Sequence, residues 1–248
     1  MEQNEHMLKS HICVHDLCTM LSEKASHICQ TVLTRMRQLL EPHAVSAILE
    51  HEVLIGISPL PIKKVAMDSM DTLLELLTLF KRTLNLSRAD PHLVSMFFMQ
   101  LFHYLCAIAL NYLMQGKYHC HFSRGMNMRY NLMYLERWAD YGNQDPRVVE
   151  MLAPIIEAAQ LLQRIKNECD VDSVIKTCSK LTPKQILRLL RSQITAHDPY
   201  DDKVALAFMQ TMQMRLEKLR PNNLDDNLMM DVHKSLPLEL AFNPSSIR

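Results

Sequence analysis

DPHLVSMFFMQLFHYLCAIALNYLMQG, residues 90 to 116, decides the fold. Leu93, Val94, Met96, Phe97, Phe98, Leu101, Phe102, Leu105, Ile108, Leu110 and Leu113 recur so densely that a helix over this stretch has no wet face. A helix that is apolar nearly all round belongs at the centre of a protein. Asp90-Pro91 is a favourable start, because the acid caps the first turn and proline lacks the amide hydrogen that would be orphaned there. Gly116 is the natural stop. A membrane span is the rival reading. The run LFHYLCAIALNYLM is interrupted by His103 and Asn111 and is too short for a bilayer. The stretch therefore predicts the core helix of an all-α bundle.

Helical periodicity continues on both sides. Toward the N-terminus, Ile12, Leu17, Met20, Leu21, Ile28, Val32, Leu33, Met36, Leu39 and Leu40 predict a long helix from about His6 to Leu40. Pro42 opens a new turn, and Ala44 to Leu49 continue as a shorter helix. SPLPIKK, residues 58 to 64, carries two prolines and reads as a linker. Asp68 and Ser69 are candidate caps for a helix bearing Leu73, Leu74, Leu76, Leu77, Phe80 and Leu84.

Toward the C-terminus, GMNMRYNLMYLERW, residues 125 to 138, puts Met128, Leu132, Leu135 and Ala139 on one side with Trp138 beside them. Asn127, Glu136 and Arg137 are expected to face out. Asp145-Pro146 opens a helix with Val149, Leu152, Ile155, Ile156, Ala159 and Leu162 inward. A short helix over 170 to 180 follows. Another starts at Thr182-Pro183, and DKVALAFMQTMQMRLEKLR is amphipathic. From Pro221 the chain is expected to run irregularly over the bundle. The expected organisation is a first segment over 1–57, a loop over 58–67 and a helical domain over 68–248.

The 248 residues are 48% hydrophobic, enough for a substantial core. Lys plus Arg is 27 and Asp plus Glu is 27, so no net charge recommends a nucleic acid as a direct partner. Gly56, Gly116, Gly125 and Gly142 are the only glycines. No pair has the spacing of a phosphate cradle or a nucleophile elbow, which makes Rossmann, P-loop and α/β-hydrolase chemistry poor readings. Seven scattered cysteines, behind an N-terminus without a secretion signal, read as reduced thiols.

His11, His15 and Cys18 share a helical face, and His119-Cys120-His121 are adjacent. Neither has the paired spacing of a zinc site, so no metal is expected. His119 to His121 read instead as a surface turn. The 18 methionines lie mostly at core spacing. Lys184, Arg188 and Arg191 recur on one helix, while Arg215, Lys218 and Arg220 end another. Such cations complement helix dipoles or steer an acidic partner.

Several segments together resemble one family. NEHMLKSH, EPHAVSAILEHE, QLFHYLCAIALNYLM, GMNMRYNLMYLERWAD, IIEAAQLLQ, LTPKQILRLL, FMQTMQMRL and FNPSS occur in the order and spacing of the globular tail of class V myosins, which contains the dilute domain. Afadin-type junction scaffolds resemble the central part, but not FMQTMQMRL or FNPSS. The resemblance implies an all-α, elongated multi-helix bundle of two subdomains with an irregular C-terminal extension. It implies that the chain begins after the family's first tail helices and stops short of the family's end. It also implies adaptor proteins and Rab-type GTPases as partners, and docking on the motor head. Residues matching the family's head-docking positions are Arg164 and Lys166, after IIEAAQLLQ, and His233 and Lys234, before FNPSS. Gln193 stands where several relatives carry a tyrosine linked to Rab binding. The chain shows no motor head, IQ repeat or heptad coiled coil, so catalysis and a cofactor are not expected. Dimerisation would need a coiled coil that the chain lacks. Contact with membranes would run only through adaptors, in the cytoplasm, on vesicles or organelles and actin. A motor-independent scaffold of the afadin type is the alternative.

Overall fold

The computed structural model describes residues 2–51, 64–116, 120–164, 171–194, 206–220 and 227–236, and no strand is among them. The elements are α1 (Glu2–Val45) running into a π-helical turn (Ser46–Glu50), α2 (Lys64–Leu86), α3 (Pro91–Met114), α4 (Phe122–Tyr141), α5 (Pro146–Glu150), α6 (Ala153–Gln163), α7 (Val171–Thr177), α8 (Pro183–Ile194) and α9 (Leu206–Leu219).

The central stretch forms α3 as expected. The Asp90 carboxylate accepts from the His92 and Leu93 amides at 2.9 and 3.2 Å, and Pro91 fills the first helical position. At the other end Gly116 takes φ +73°, where a side chain would be strained and would collide with the Arg188 guanidinium. That guanidinium donates through Nε to the Met114 carbonyl at 3.1 Å, so α8 caps α3. The expectation that the run is too short for a bilayer needs correcting. At 24 residues α3 is about 36 Å long, enough to cross one. Packing decides instead: 78% of its most apolar window is buried among other helices.

Three boundaries differ from the periodicity. Pro42 does not open a new helix; α1 passes through it and widens into the π turn. An interior proline costs about 3 kcal/mol. Leu40, Ile48 and Leu49 are fully buried here, at about 1.5–3 kcal/mol each, which outweighs that cost. Next, α2 begins at Lys64, so Asp68 and Ser69 lie inside it rather than capping it, and Ser69 is buried. Pro61 is the last helix breaker in that stretch; Lys64 to Met67 contain none. The remaining linker residues, up to 63, lie outside the described part. Finally, residues 146 to 163 form two helices, because Pro154 has no amide to donate to Glu150, where α5 ends.

Around α3 pack the C-terminal part of α1, then α5, α6 and α8. The closest pairing elsewhere is α4 on α6. Gly125 makes it possible: a β-carbon there would fall 2.8 Å from Leu162 Cβ and 3.0 Å from the Ala159 carbonyl oxygen. Gln163 Nε2 seals the contact by donating to the Gly125 carbonyl at 2.9 Å. Met128, Leu132, Leu135 and Ala139 face inward as the spacing predicts. Trp138 ties three helices together. Its ring lies 5.2 Å from Phe98 and 6.0 Å from Phe102 on α3, and its Nε1 donates to Thr78 Oγ1 on α2 at 2.9 Å. Asn127 is buried rather than outward, and Glu136 pairs with Arg129 at 2.8 Å. Asn131, fully buried, donates to the Ile48 and His51 carbonyls at 3.0 and 2.8 Å. Those carbonyls lie at the C-terminal end of the π turn, where helix carbonyls call for a partner from outside the helix.

Candidate partner-docking sites

Arg164 and Gln193 come together at the C-terminal end of α6. Arg164 is the residue that leaves the helix, with extended backbone (φ −79°, ψ 143°), and its Nη1 reaches Ser173 Oγ on α7 at 3.4 Å. Gln193 is 3% exposed and donates through Nε2 to the Leu162 carbonyl at 3.0 Å, so α8 caps α6. Its side chain thus has an interior role, whereas Arg164 is half-buried at the surface. Lys166 lies outside the described residues.

His233 and Lys234 belong to a different feature. Residues 227–236 form an irregular strap over α3 and α8, as expected of the tail, and both side chains are exposed. A turn around Asp231 presents them: its Oδ1 accepts from the His233 amide at 2.9 Å and its carbonyl from the Lys234 amide at 3.4 Å.

The strap is held by side chains that read only its backbone. Asn111 Nδ2 donates to the Met230 carbonyl at 2.9 Å while Oδ1 accepts from the Met230 amide at 2.7 Å. His103 Nε2 meets the Asp231 carbonyl at 3.0 Å, and Gln100 Nε2 the Leu236 carbonyl at 2.9 Å. From α8, Thr182 Oγ1 donates to the Asn227 carbonyl at 3.1 Å and Gln185 Nε2 to the Leu228 carbonyl at 3.0 Å. Thr182 and Gln185 also form a reciprocal capping box, with bonds of 3.2 and 3.0 Å. Gln100 also accepts from Arg37 Nη2 at 2.8 Å, and Arg37 lies 5.5 Å from the centre of the Tyr104 ring. Burial pushes the Tyr104 phenol up to about 12, and the neighbouring Glu41 carboxylate adds to this. Burial lowers the Arg37 value, against the attraction of Tyr104 and Asp231.

Sequence reasoning used His103 and Asn111 only against a membrane span and passed over Gln100. The signal was present: at 100° per residue the three lie within about 80° on one face of an otherwise apolar helix.

Other sequence candidates fall into structural roles. No group of three His, Cys, Asp or Glu among the described residues is placed to hold a metal. The side chains of His11 and His15, and all of His119, lie outside the described part. His119 to His121 is not simply a surface turn: Cys120 is fully buried, and His121 caps α4 by accepting from the Arg124 amide at 3.3 Å. The five described cysteines are free thiols, and burial pushes Cys106 up to about 12 and Cys178 to about 11. Among the basic residues, Arg188 caps α3, and Arg220 donates to the carbonyls of Ile175, Cys178 and Leu181 at 2.6, 2.9 and 3.0 Å. The dipole that Arg220 complements is that of α7, in addition to its own helix. Lys184, Arg191, Arg215 and Lys218 are exposed.

Residues 96–196, from within α3 to just past α8, match the DIL domain family. The chain belongs to the globular tails of class V myosins and is their tail region, not the motor. It is 33% identical to unconventional myosin-Va of Homo sapiens over 257 residues, which is 99% of this chain and 14% of that protein. It is 30% identical to unconventional myosin-Vb of Rattus norvegicus over 259 residues, with the same shares. The chain thus spans about one seventh of the length of these relatives. Among solved structures, Myo2-GTD in complex with Mmr1 superposes with a TM-score of 0.70 at 20% identity, covering 84% of this chain and 49% of that one. A myosin V cargo binding domain superposes at 0.63, also 20% identical, covering 80% and 49%.

Proposed function

We propose that this chain is a cargo-binding module of a class V myosin: it grips adaptor proteins and Rab-type GTPases on vesicles or organelles and docks on the motor head when no cargo is bound. The observation that carries the reading is likeness to the myosin-Va tail over 99% of the chain. It is joined by a fold shared with Myo2-GTD structures solved with Mmr1, Smy1 and Inp2. The module acts in the cytoplasm on actin-based transport and meets membranes only through its adaptors. Residues 1–57 correspond to part of a first tail subdomain with the connecting helix, and residues 68–248 to the dilute-type subdomain. The junction between them falls near 58–67, and α2 already starts at Lys64.

Arg164 with Lys166, and Lys234 with its neighbour His233, form the head-docking basic pairs, and the exposed turn at Asp231 gives the second pair access to a partner. Gln193 acts indirectly, by fixing the end of α6 next to Arg164. Charge reversal separates the parts. Arg164→Glu with Lys166→Glu, and separately His233→Glu with Lys234→Glu, should each weaken capture of a class V motor head about tenfold or more, because acids replace basic groups that face an acidic partner. Binding of adaptor segments should be unchanged. Head capture unaffected by both pairs removes the docking assignment, and failure to retain any adaptor or Rab overturns the cargo reading.

A further inference from the structure

The six side-chain bonds that hold the strap all go to its backbone, at Asn227, Leu228, Met230, Asp231 and Leu236. Of the strap's own side chains, those of Leu228 and Met230 pack on the core, while Met229, His233, Lys234 and Ser235 point to solvent. The trough therefore recognises an irregular chain that turns after its second anchor, with two apolar residues spaced two apart and an acid beside Arg37 at the turn. Gln100 is 1% exposed and His103 8% with the strap in place, so vacating the trough trades these protein bonds for bonds to water and uncovers the apolar surface under Leu228 and Met230. A second peptide taking the strap's place would restore every one of those bonds. Exchange is then opposed mainly by the advantage of tethering, which is a matter of effective concentration.

We propose that the trough between α3 and the N-terminus of α8 is a peptide-binding site, occupied in cis by residues 227–236 and open to a segment of another protein that has the same two apolar anchors and turns after the second one. This goes beyond the myosin reading and does not depend on it, since the bonds are made by this chain alone. Weakening an anchor of the strap should vacate the trough, whereas damage to a clip should destroy it.

The probe is a fluorescein-labelled peptide with the sequence of residues 227–236, NLMMDVHKSL, followed by anisotropy against the full chain. Met230→Asp should bind it about tenfold or more tighter than the wild type, because the tethered competitor is weakened. Adding Asn111→Leu to that variant should abolish binding, as should aspartates at both anchor positions of the peptide. Three outcomes overturn the proposal: no binding by a Met230→Asp chain that melts as cooperatively as the wild type, equal binding by both chains, or binding that survives Asn111→Leu. Should Met230→Asp not fold, hydrogen exchange on the wild-type chain decides. The Met230 amide, bonded to Asn111, must exchange at least tenfold faster than the slowest core amides of α3, as local opening of the strap requires. Exchange at the core rate makes the strap an inseparable part of the fold and overturns the site.

Discussion

α1 and α3 are both long helices rich in leucine, yet only α3 is enclosed. Along α3, Phe98, Leu101, Phe102, Leu105 and Leu110 are all fully buried, and its polar residues Gln100, His103 and Asn111 are taken up by the strap. α1 is two-faced. Leu33, Met36, Leu40 and Ala44 enter the core, whereas Leu17, Leu21, Ile28 and Leu39 are 56, 60, 61 and 53% exposed. These four lie within about 40° of one another around the helix axis, so they form a second apolar stripe. The two helices draw on the same residue types. What separates them is the neighbourhood, because apolar surface stabilises a fold only when it leaves water.

The comparison can be broken most directly at Phe102, which is fully buried on α3 against Trp138 of α4. Phe102→Ala removes a fully buried ring that stacks on Trp138, and should cost about 3–5 kcal/mol in a urea titration. A cost below 1 kcal/mol would mean that α3 is not the core helix. Next in size is Asn131→Ala. It leaves the Ile48 and His51 carbonyls without their donor at a buried site, at about 1–3 kcal/mol for each one left dry. The same titration should show it, together with faster exchange of amides at the end of α1.

A pH dependence sharpens the contact between the two helices. Tyr104 on α3 has its phenol raised to about 12, first by burial and then by Glu41 on α1, with Arg37 opposing. Its unfolded value is about 10. The folded state therefore prefers the neutral phenol; this stabilisation is present below pH 10 and is lost as pH rises through about 12. Thermal unfolding of the wild type should fall more steeply between pH 10 and 12 than that of Tyr104→Phe. Parallel curves would show that the phenol is not held neutral by the α1–α3 contact.

Legibility from sequence followed the same divide. α3 could be read because burial on every side needs no knowledge of partners, and its caps at Asp90 and Gly116 are local signals. The continuation of α1 through Pro42 could not, because the core contacts of Leu40, Ile48 and Leu49 that outweigh the proline come from helices far along the chain. Pro154 was legible in principle as a break between α5 and α6, yet the inward spacing from Val149 to Leu162 concealed it. Arg164, His233 and Lys234 come from the family's motifs alone; His233 and Lys234 are exposed, and Arg164 is half-buried. Gln193 shows where that method stops: a residue aligned with a surface position turns its side chain to the carbonyl of Leu162. The strap's clips needed a face-by-face reading of α3 as well as knowledge of which backbone would arrive there.

The smallest effect is the most informative about the stripe on α1. Ile28 is 61% exposed, on the side of α1 away from Leu33 and Leu40. Replacing it with glutamine keeps a good helix former, since glutamine ranks above isoleucine in intrinsic propensity. Little buried apolar area is lost, so the stability of the chain should change by no more than about 0.5 kcal/mol, as for surface substitutions in general. Leu33→Ala, one and a half turns further on but fully buried, should cost about 2–5 kcal/mol in the same titration. The ratio between the two is the test. Equal costs would mean that the outer stripe is already covered in solution and that α1, like α3, is enclosed on every side.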